Sequence, residues 1–249
     1  MDILWISANQ LGYELLKTAL NLDGIKVKAV ITLAPDAETK MYDGISYSKW
    51  EKFGIDLHLI KQINEEKALI QKIAPQLIVV CGWRQIIGKG ILEIPAKGVI
   101  GFHPTLLPYG RGPAPIINTI LSGLKESGVT MYYFSAGLDE GDIIGQERFA
   151  IAKNDHAGEV YKKVIRAGKR LVQKHIPLIA AEKAARIKQN GKEATYFNPV
   201  SLSDNLIDFE KESIETIYKK IRALSHPYKG AFLEKQGKKL IIWNAELIE

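Results

Sequence analysis

The segment QLIVVCGW, residues 76–83, is a continuous apolar run, and this feature most constrains the fold. A strand with apolar side chains on both faces is typical of a parallel sheet that helices cover on both sides. β-rich and helical patterns alternate around it, in the order DILWISA, LGYELLKTALNL, VKAVITL, INEEKALIQKIA, QLIVVCGW, GVIGF, a helix near Ala114–Ser122, and VTMYYFSA. This alternation predicts an α/β fold with a doubly wound, mostly parallel sheet.

The chain changes character beyond this alternating part. A helix is predicted from near His156 to near Arg186, and Pro177 is expected to kink or divide it because proline lacks a backbone donor. Three segments follow: an irregular connector at ATYFNPVSLSDNLIDF, a helix at SIETIYKKIRALSH, and a terminal β-hairpin centred on Gln236-Gly237. We therefore expect a main domain over residues 1–190 and a small C-terminal extension over residues 191–249.

Composition indicates an ordinary globular protein, with 46% apolar and 25% charged residues. The apolar runs are far shorter than the roughly 20 residues that cross a bilayer, and the first residues lack a basic region. We therefore expect no membrane span and no signal peptide. The single cysteine, Cys81, suits a reducing cytoplasm and is expected to be a buried thiol, because it follows LIVV.

The formal net charge of +6 favours anionic ligands such as phosphates, nucleotides or RNA. Much of the excess lies on helical faces such as YKKVIRAGKRLVQKH, where solvated lysines are the plainer interpretation. The sequence has no basic stripe interleaved with aromatic residues, and so gives no indication of a nucleic-acid partner. The five histidines are scattered without paired-ligand spacing, so no metal site is expected.

Two segments each place one proton-handling group at the end of a predicted strand. GVIGFHPTLLPYGRGPAP holds His103, and GVTMYYFSAGLDEGDII holds Asp139. Open α/β sheets bind ligands at strand ends, so the imidazole and the carboxylate are expected to form one catalytic site. Each residue alone would be read as structural, His103 as a loop histidine packed on prolines and Asp139 as a turn former. Because the two residues occur together in these two loops, one shared catalytic site is favoured over two separate structural roles.

The turn from Ser7 to Gly12 joins the first predicted strand to the first helix. Amide groups at a helix start favour an anion. The turn is not GxGxxG, however, and Ser7 or Asn9 can simply cap the helix. Capping is the favoured interpretation.

The His103 and Asp139 segments together resemble the folate-dependent formyltransferases, which include methionyl-tRNA formyltransferase, glycinamide ribonucleotide transformylase and the sugar N-formyltransferases. The resemblance extends through CGWRQIIGKGILEIPAKGVIGFHPTLLP and reappears in DNLIDF and IRALSHPYKGAF, so it covers most of the chain. It implies a Rossmann-like catalytic domain over residues 1–190 that uses 10-formyltetrahydrofolate and a primary amine. It places His103 and Asp139 at the catalytic positions.

The chemistry of such a transfer fits these two residues. Attack of an amine on the formyl carbon gives a tetrahedral intermediate with a negative oxygen and a nitrogen that must lose a proton. His103 can donate a hydrogen bond to that oxygen and take part in proton transfer, while Asp139 orients the imidazole or stabilises its protonated form.

The resemblance also implies two binding regions. The backbone of Trp83–Ile87 borders the pterin, a second loop at Ala136–Asp142 lies opposite, and the acceptor approaches beyond the histidine. The cofactor positions are Trp83, Arg84, Gln85, Ile86, Ile87, Ala136, Leu138 and Asp142, and the substrate positions are Tyr109, Arg111 and Gly112. From the residues alone, Trp83 could equally well be an aromatic side chain of the core. Arg111 can either bind a phosphate through two of its nitrogens or brace its own loop. His226 is expected to be structural.

Gly101 departs from the family, which normally has an asparagine two residues before the histidine. Losing one oxyanion-hole side chain costs about 10²–10³ in rate. Three interpretations are open. In the preferred one, water or another donor fills the space and the enzyme keeps its activity. Alternatively, the chain is a folate-binding relative with little transferase activity, or the side chain of Asn118 compensates for the missing asparagine. If the chain is such a silent relative, Gly101→Asn should create or raise activity.

The remaining question is which amine accepts the formyl group. Methionyl-tRNA enzymes carry a further C-terminal β-barrel domain, for which this chain ends too soon after PYKGAF. Glycinamide ribonucleotide enzymes generally end before any LIDF and IRALSHPY segments. We therefore expect a cytoplasmic sugar N-formyltransferase that acts on a nucleotide-linked amino sugar, as a homodimer built through the terminal hairpin. The alternatives are methionyl-tRNA formylation and a folate-binding protein without turnover.

Overall fold

The continuous apolar segment is the central strand of a seven-stranded sheet in the computed structural model, which describes residues 1–39 and 41–248. The sheet order is β3-β2-β1-β4-β5-β6-β7, and β8-β9 form a separate hairpin. The strands are β1 Asp2–Ser7, β2 Lys26–Leu33, β3 Asp56–Ile60, β4 Leu77–Cys81, β5 Val99–His103, β6 Glu126–Tyr133, β7 Ile143–Ala150, β8 Ala231–Lys235 and β9 Lys238–Ile242.

Helices connect these strands and cover the sheet. They are α1 Gln10–Ala19, α2 Tyr47–Glu51, α3 Lys67–Ile73, α4 Lys89–Leu92, α5 Pro115–Leu121, α6 Ala157–Ala180 and α7 Ile214–Leu224. One core includes Trp5, Leu77 and Val79 together with apolar faces of α1 and α6. A second core, which includes α3 side chains, lies on the alternate strand positions, such as Leu4 and Ile78. The predicted burial of both strand faces is confirmed.

The strand order reverses between β1 and β4. β1 to β5 pair in parallel, whereas β6 pairs antiparallel with both β5 and β7. The α/β, Rossmann-like and mostly parallel sheet is therefore confirmed. In such sheets ligands bind at the carboxyl ends of the strands beside the reversal. Ser7, Cys81 and His103 end three neighbouring strands, β1, β4 and β5, at this edge.

The N-terminus of α1 is closed by protein groups. Asn9 caps it, and its side-chain oxygen accepts from the Gly12 amide at 2.9 Å. The Leu11 amide donates to the Tyr161 hydroxyl at 2.9 Å, and the Gln10 amide donates to the Asp43 carbonyl at 2.9 Å. The capping interpretation of this turn is confirmed, because the amides that would attract an anion already have acceptors.

The long helix differs from its prediction at its C-terminal end. α6 runs from Ala157 to Ala180 without division, and it stops before the expected end near Arg186. Pro177 lies in the last turn, where its carbonyl still accepts from the Ala181 amide at 3.0 Å. Among residues 1–39 and 41–248, no helix combines the length and the hydropathy that a bilayer crossing requires.

The C-terminal extension contains the predicted helix, α7, and the predicted hairpin. Gln236 and Gly237 both adopt positive φ, 54° and 71°, as a two-residue hairpin turn of this type requires. The connector before α7 is more ordered than predicted, with a 3₁₀ turn at Ser203–Asn205 and a bridge from Leu206 to Phe232. Whether the domain boundary falls at residue 190 stays a prediction.

Candidate active site

His103 is the last residue of β5, and one hydrogen bond fixes the orientation of its ring. Nε2 lies 2.7 Å from the carbonyl oxygen of Gly110, and the side chain is only 8% exposed. A carbonyl can only accept, so Nε2 carries the proton and donates it. In the neutral ring Nδ1 is then unprotonated. Nδ1 lies 3.6 Å from Oδ2 of Asp139.

Asp139 is held by a donor on each carboxylate oxygen. The Tyr132 hydroxyl donates to Oδ1 at 2.6 Å, and the Gly112 amide donates to Oδ2 at 2.9 Å. Burial and the adjacent carboxylate raise the pKa of Tyr132 well above its ordinary value, so its hydroxyl keeps its proton. Asp139 itself has φ of +51°, an unusual conformation for a residue other than glycine.

The structure therefore brings the two predicted catalytic residues together. Nδ1 of His103 can accept a proton, and the imidazolium that results faces a carboxylate that has already been oriented. Oδ2 of Asp139 can then accept from Nδ1–H after a small closure of the 3.6 Å gap. This geometry suits a general base whose charged form is stabilised where it is produced.

A segment of the connector shapes this site, and the sequence did not predict it. The Thr195 amide donates to the Pro108 carbonyl, and the Arg111 amide donates to the Thr195 carbonyl. The Thr195 hydroxyl accepts from the Gly110 amide at 2.8 Å. Gly110 has φ of +70°, and a Cβ there would lie 2.6 Å from the Phe197 ring. The connector thus fixes the carbonyl that orients His103.

Gln189 is a second functional residue that sequence reasoning missed. Its side-chain NH₂ donates to the carbonyls of Asp139 and Gly141, both at 2.8 Å. Its Oε1 accepts from Nε and Nη2 of Arg111 at 3.1 and 2.8 Å. Gln189 follows α6 in a stretch without any pattern, so no sequence signal indicates this role. It connects the Asp139 loop to the loop that follows His103.

Arg111 braces its loop rather than presenting a free guanidinium. It is buried, Nη1 donates to the Tyr196 hydroxyl at 3.1 Å, and its other nitrogens bind Gln189. Tyr109 is 37% exposed and meets the Phe197 ring edge-on. Gly112 is used through its amide, which contacts Asp139. Of these three, Tyr109 presents the most side-chain surface.

Phe134 occupies the space beside Gly101. A Cβ at Gly101 would lie 2.1 Å from Cε1 of Phe134 and 2.8 Å from its Cζ. The ring of Phe134 also packs against Tyr132 at 5.3 Å between centroids. Glycine at position 101 and phenylalanine at position 134 therefore fit each other. A bulky side chain at Gly101 requires this ring to move.

Asn118 does not supply the missing amide donor. Its side-chain NH₂ donates to the carbonyls of Pro113, Ala114 and Asn198 at 3.1–3.2 Å. It braces α5 against the connector, so the idea that it compensates for Gly101 is not supported. His226 stacks on Trp243 at 3.8 Å between ring centroids, which agrees with its expected structural role.

The loop after β4 is braced at its back. Gln85 accepts from the Ile63 amide and donates to the Lys61 carbonyl, while Asn64 binds the Ile86 carbonyl and the Gly88 amide. Ile87 is buried and Ile86 is 86% exposed. Among the described residues, nothing accepts from the backbone amides of residues 83, 86 and 87 or from the buried Nε1 of Trp83.

The loop opposite, residues 136–142, also offers apolar side chains and backbone groups. Ala136 and Leu138 are exposed, whereas the Asp142 carbonyl is used by the Tyr133 amide. Phe134, like Trp83, packs against the core cluster that includes Ile87. Unpaired amides beside apolar side chains fit a flat heterocycle with a hydrogen-bonding edge. Among the described residues, no cluster of three or more histidine, cysteine or acidic side chains could hold a metal ion.

Comparisons with known proteins agree with this arrangement. The formyl transferase family profile matches residues 6–176, and the profile of its C-terminal domain matches residues 199–249. A methionyl-tRNA formyltransferase of Natranaerobius thermophilus is 32% identical over 201 residues, which is 80% of this chain and 64% of that protein. This chain therefore spans less than two thirds of the length of that relative.

Two solved structures share the fold over nearly the whole chain. A sugar N-formyltransferase from Shewanella sp. FDAARGOS_354 superposes with a TM-score of 0.78 at 20% identity, covering 100% of this chain and 99% of that one. An N-formyltransferase from Helicobacter canadensis, solved with folinic acid and dTDP-3-aminofucose, gives 0.71 at 24% identity and covers 96% and 86%.

We expect Gly101→Asn to destabilise the protein by about 1–3 kcal/mol, because the new side chain overlaps the Phe134 ring. Phe134→Ala should relieve this overlap, so the double variant should lose less than the sum of the two single losses. Urea unfolding of all four proteins measures the coupling. Strict additivity would show that the asparagine finds space elsewhere.

We expect Gln189→Glu to loosen the Asp139 loop selectively. The new carboxylate still accepts from Arg111 but loses two donations to backbone carbonyls, each worth about 1 kcal/mol. Amide hydrogen exchange across residues 137–142 should accelerate about tenfold or more, while α6 keeps its protection. Gln71→Glu, at an exposed position of α3, is the matched control. Equal exchange in both variants would remove the positioning role of Gln189.

Proposed function

This chain belongs to the formyl transferase family, and within that family we propose that it transfers a formyl group from 10-formyltetrahydrofolate to the primary amine of a nucleotide-linked amino sugar. The observation that carries the reaction type is the His103–Asp139 pair, with Nδ1 and Oδ2 3.6 Å apart at the carboxyl edge of the sheet.

The residues of the chain supply proton handling and orientation. When bound, the folate supplies the formyl group, and the loops at Trp83–Ile87 and 136–142 would hold its pterin. Nδ1 of His103 takes the proton that the attacking amine must lose, and Asp139 stabilises the charge that results. Once protonated, Nδ1–H can donate to the oxygen that becomes negative, at a site where Gly101 offers no side-chain amide. Nδ1 would then give up its proton to the nitrogen that the formyl group leaves, which restores the neutral ring.

The folate positions that we propose are those of the two loops: Trp83, Arg84, Gln85, Ile86, Ile87, Ala136, Leu138 and Asp142. The unpaired amides of residues 83, 86 and 87 and the exposed side chains of Ile86, Ala136 and Leu138 support this assignment. Tyr109 and Gly112 border the acceptor side. Arg111 serves the acceptor indirectly, by holding Gln189 and Tyr196.

Two observations support an amino-sugar nucleotide as the acceptor. The fold covers 99% of a sugar N-formyltransferase, including the small C-terminal extension. A further structure of the same fold was solved with folinic acid and dTDP-3-aminofucose. The second candidate acceptor is methionyl-tRNA, which is favoured by the 32% identity to a methionyl-tRNA formyltransferase. We also propose a homodimer through the terminal hairpin, on which Leu240 and Ile241 are 63% and 44% exposed; a monomeric mass in sedimentation would reject it.

The acceptor is tested by incubating the protein and 10-formyltetrahydrofolate with UDP-, dTDP- and GDP-linked amino sugars, and separately with charged initiator tRNA. We expect one added formyl group, measured by mass spectrometry, on at least one sugar nucleotide. His103→Gln and Asp139→Asn should each lower turnover by about 10²–10⁴, because both remove the proton acceptor or its stabilising charge.

Other outcomes identify the alternatives. Efficient formylation of the tRNA without formylation of any sugar would replace the amino-sugar assignment. Folate binding without turnover of any acceptor would indicate a silent folate-binding protein. Turnover that is unchanged in both active-site variants would contradict the proposed proton transfer.

A further inference from the structure

The space beside Gly101, two residues before His103, is filled by an apolar ring. A Cβ on Gly101 would lie 2.1 Å from Cε1 of Phe134, so this ring packs directly against the Gly101 backbone. Gly101 and His103 are both buried, and alternate residues of a strand share one face of the sheet. The Phe134 ring therefore lies on the face of β5 that carries the His103 side chain.

Several contacts hold the Phe134 ring in this position. The Phe134 amide donates to the Val99 carbonyl at 2.8 Å, which fixes the backbone that carries the ring. The ring lies 5.3 Å from the Tyr132 ring between centroids, with 31° between the two planes. It also packs against the small apolar cluster of Leu107, Tyr132 and Ile143. Moving the ring away from Gly101 would break these contacts.

A continuous series of contacts joins the Phe134 ring to the proposed catalytic pair. Phe134 packs on Tyr132, and the Tyr132 hydroxyl donates to Oδ1 of Asp139 at 2.6 Å. Oδ2 of Asp139 lies 3.6 Å from Nδ1 of His103, and the two side chains are only 15% and 8% exposed. The Phe134 and Tyr132 rings thus form an apolar floor beneath this pair.

A water molecule in the place of the Phe134 ring would have few groups to bind. A buried water typically makes about three hydrogen bonds. The backbone of β5 is paired with β4 on one side and with β6 on the other, where Gly101 lies opposite Val80 and Tyr132. The proton of the Tyr132 hydroxyl is already donated to Asp139. An aromatic ring therefore fits this space better than water does.

Water and an amine compete for the same formyl carbon in a transfer of this kind. In hydrolysis the water oxygen bonds to that carbon while Nδ1 of His103 takes a proton from the water. The bond from the carbon to the folate nitrogen then breaks, and Nδ1 returns the proton to that nitrogen. The products are formic acid and tetrahydrofolate. A base that is placed to deprotonate an amine can also deprotonate water, so the site must exclude water.

We propose that Phe134, packed against Gly101, keeps water out of the space beside His103 and so makes an amine, rather than water, the acceptor of the formyl group. This inference rests on the proposed function. It assigns Phe134 as a residue that determines the choice between the two nucleophiles. Glycine at position 101 is part of the arrangement, because a side chain there would displace the ring.

The test compares Phe134→Ala, which removes the ring, with Phe134→Leu, which keeps apolar bulk. Phe149→Ala is the matched control, because Phe149 is also a half-buried phenylalanine but lies on the edge strand β7. Formate release from 10-formyltetrahydrofolate is measured without an amine, and the ratio of formate to formylated amine is measured where an acceptor is found. Crystal structures of the ligand-free proteins show whether ordered water lies beside Gly101, independently of turnover.

We expect Phe134→Ala to raise formate release by about tenfold or more, because a general base accelerates attack by a nearby nucleophile by about 10²–10⁴. The ratio of formate to formylated amine should rise by the same factor, and ordered water should lie beside Gly101 in this variant. Phe134→Leu and Phe149→Ala should stay near wild type. A purely structural role would lower both products together and leave their ratio unchanged.

Ordered water beside Gly101 in the wild type would overturn the assignment. Formate release that is equal in the wild type and Phe134→Ala would overturn it as well, even if the wild type formylates a sugar nucleotide. If no acceptor is formylated but Phe134→Ala still raises formate release, the proposed acceptor fails and the role of Phe134 stands. If Phe134→Ala does not fold, the wild-type crystal structure and formate release from Phe134→Val, which opens a smaller space, decide the question.

Discussion

The hydrogen bond from Nε2 of His103 to the Gly110 carbonyl is the interaction on which the site depends. It selects the tautomer, and the tautomer leaves Nδ1 as the proton acceptor on the side of Asp139. The carbonyl can accept there because Gly110 has positive φ and its amide is bound by the Thr195 hydroxyl. The orientation of the His103 ring thus depends on the segment around Thr195, which lies more than ninety residues further along the chain.

Several parts of the chain are combined around this bond. β6 presents Tyr132 to Asp139, the loop after His103 presents the Gly112 amide, and the segment after α6 presents Gln189 to two carbonyls of the Asp139 loop. Asp139 keeps an unfavourable backbone conformation because these contacts hold it from both sides. The imidazole and the carboxylate are therefore oriented before any ligand binds, which would limit the reorganisation that the proposed reaction requires.

The parallel sheet, the convergence of His103 and Asp139 and the terminal hairpin were predicted from local pattern and from the resemblance, because periodicity and turn chemistry are encoded in neighbouring residues. Gln189, Thr195 and Phe134 were not, since each acts through contacts made only in the folded chain. Gly101 illustrates the limit: the sequence showed a missing amide, whereas the structure shows a ring that occupies its place. The predicted end of α6, near Arg186, was wrong because the sequence pattern does not mark the last helical turn. Pro177 is accommodated inside that turn and does not divide the helix.

The most direct test of this account is the protonation state of the two His103 nitrogens, measured by ¹⁵N NMR of the folded protein at a pH where the ring is neutral. The account predicts that Nε2 gives the resonance of a protonated nitrogen and Nδ1 that of an unprotonated one. A proton on Nδ1 of the neutral ring would contradict it, because His103 could then not accept a proton on the side that faces Asp139.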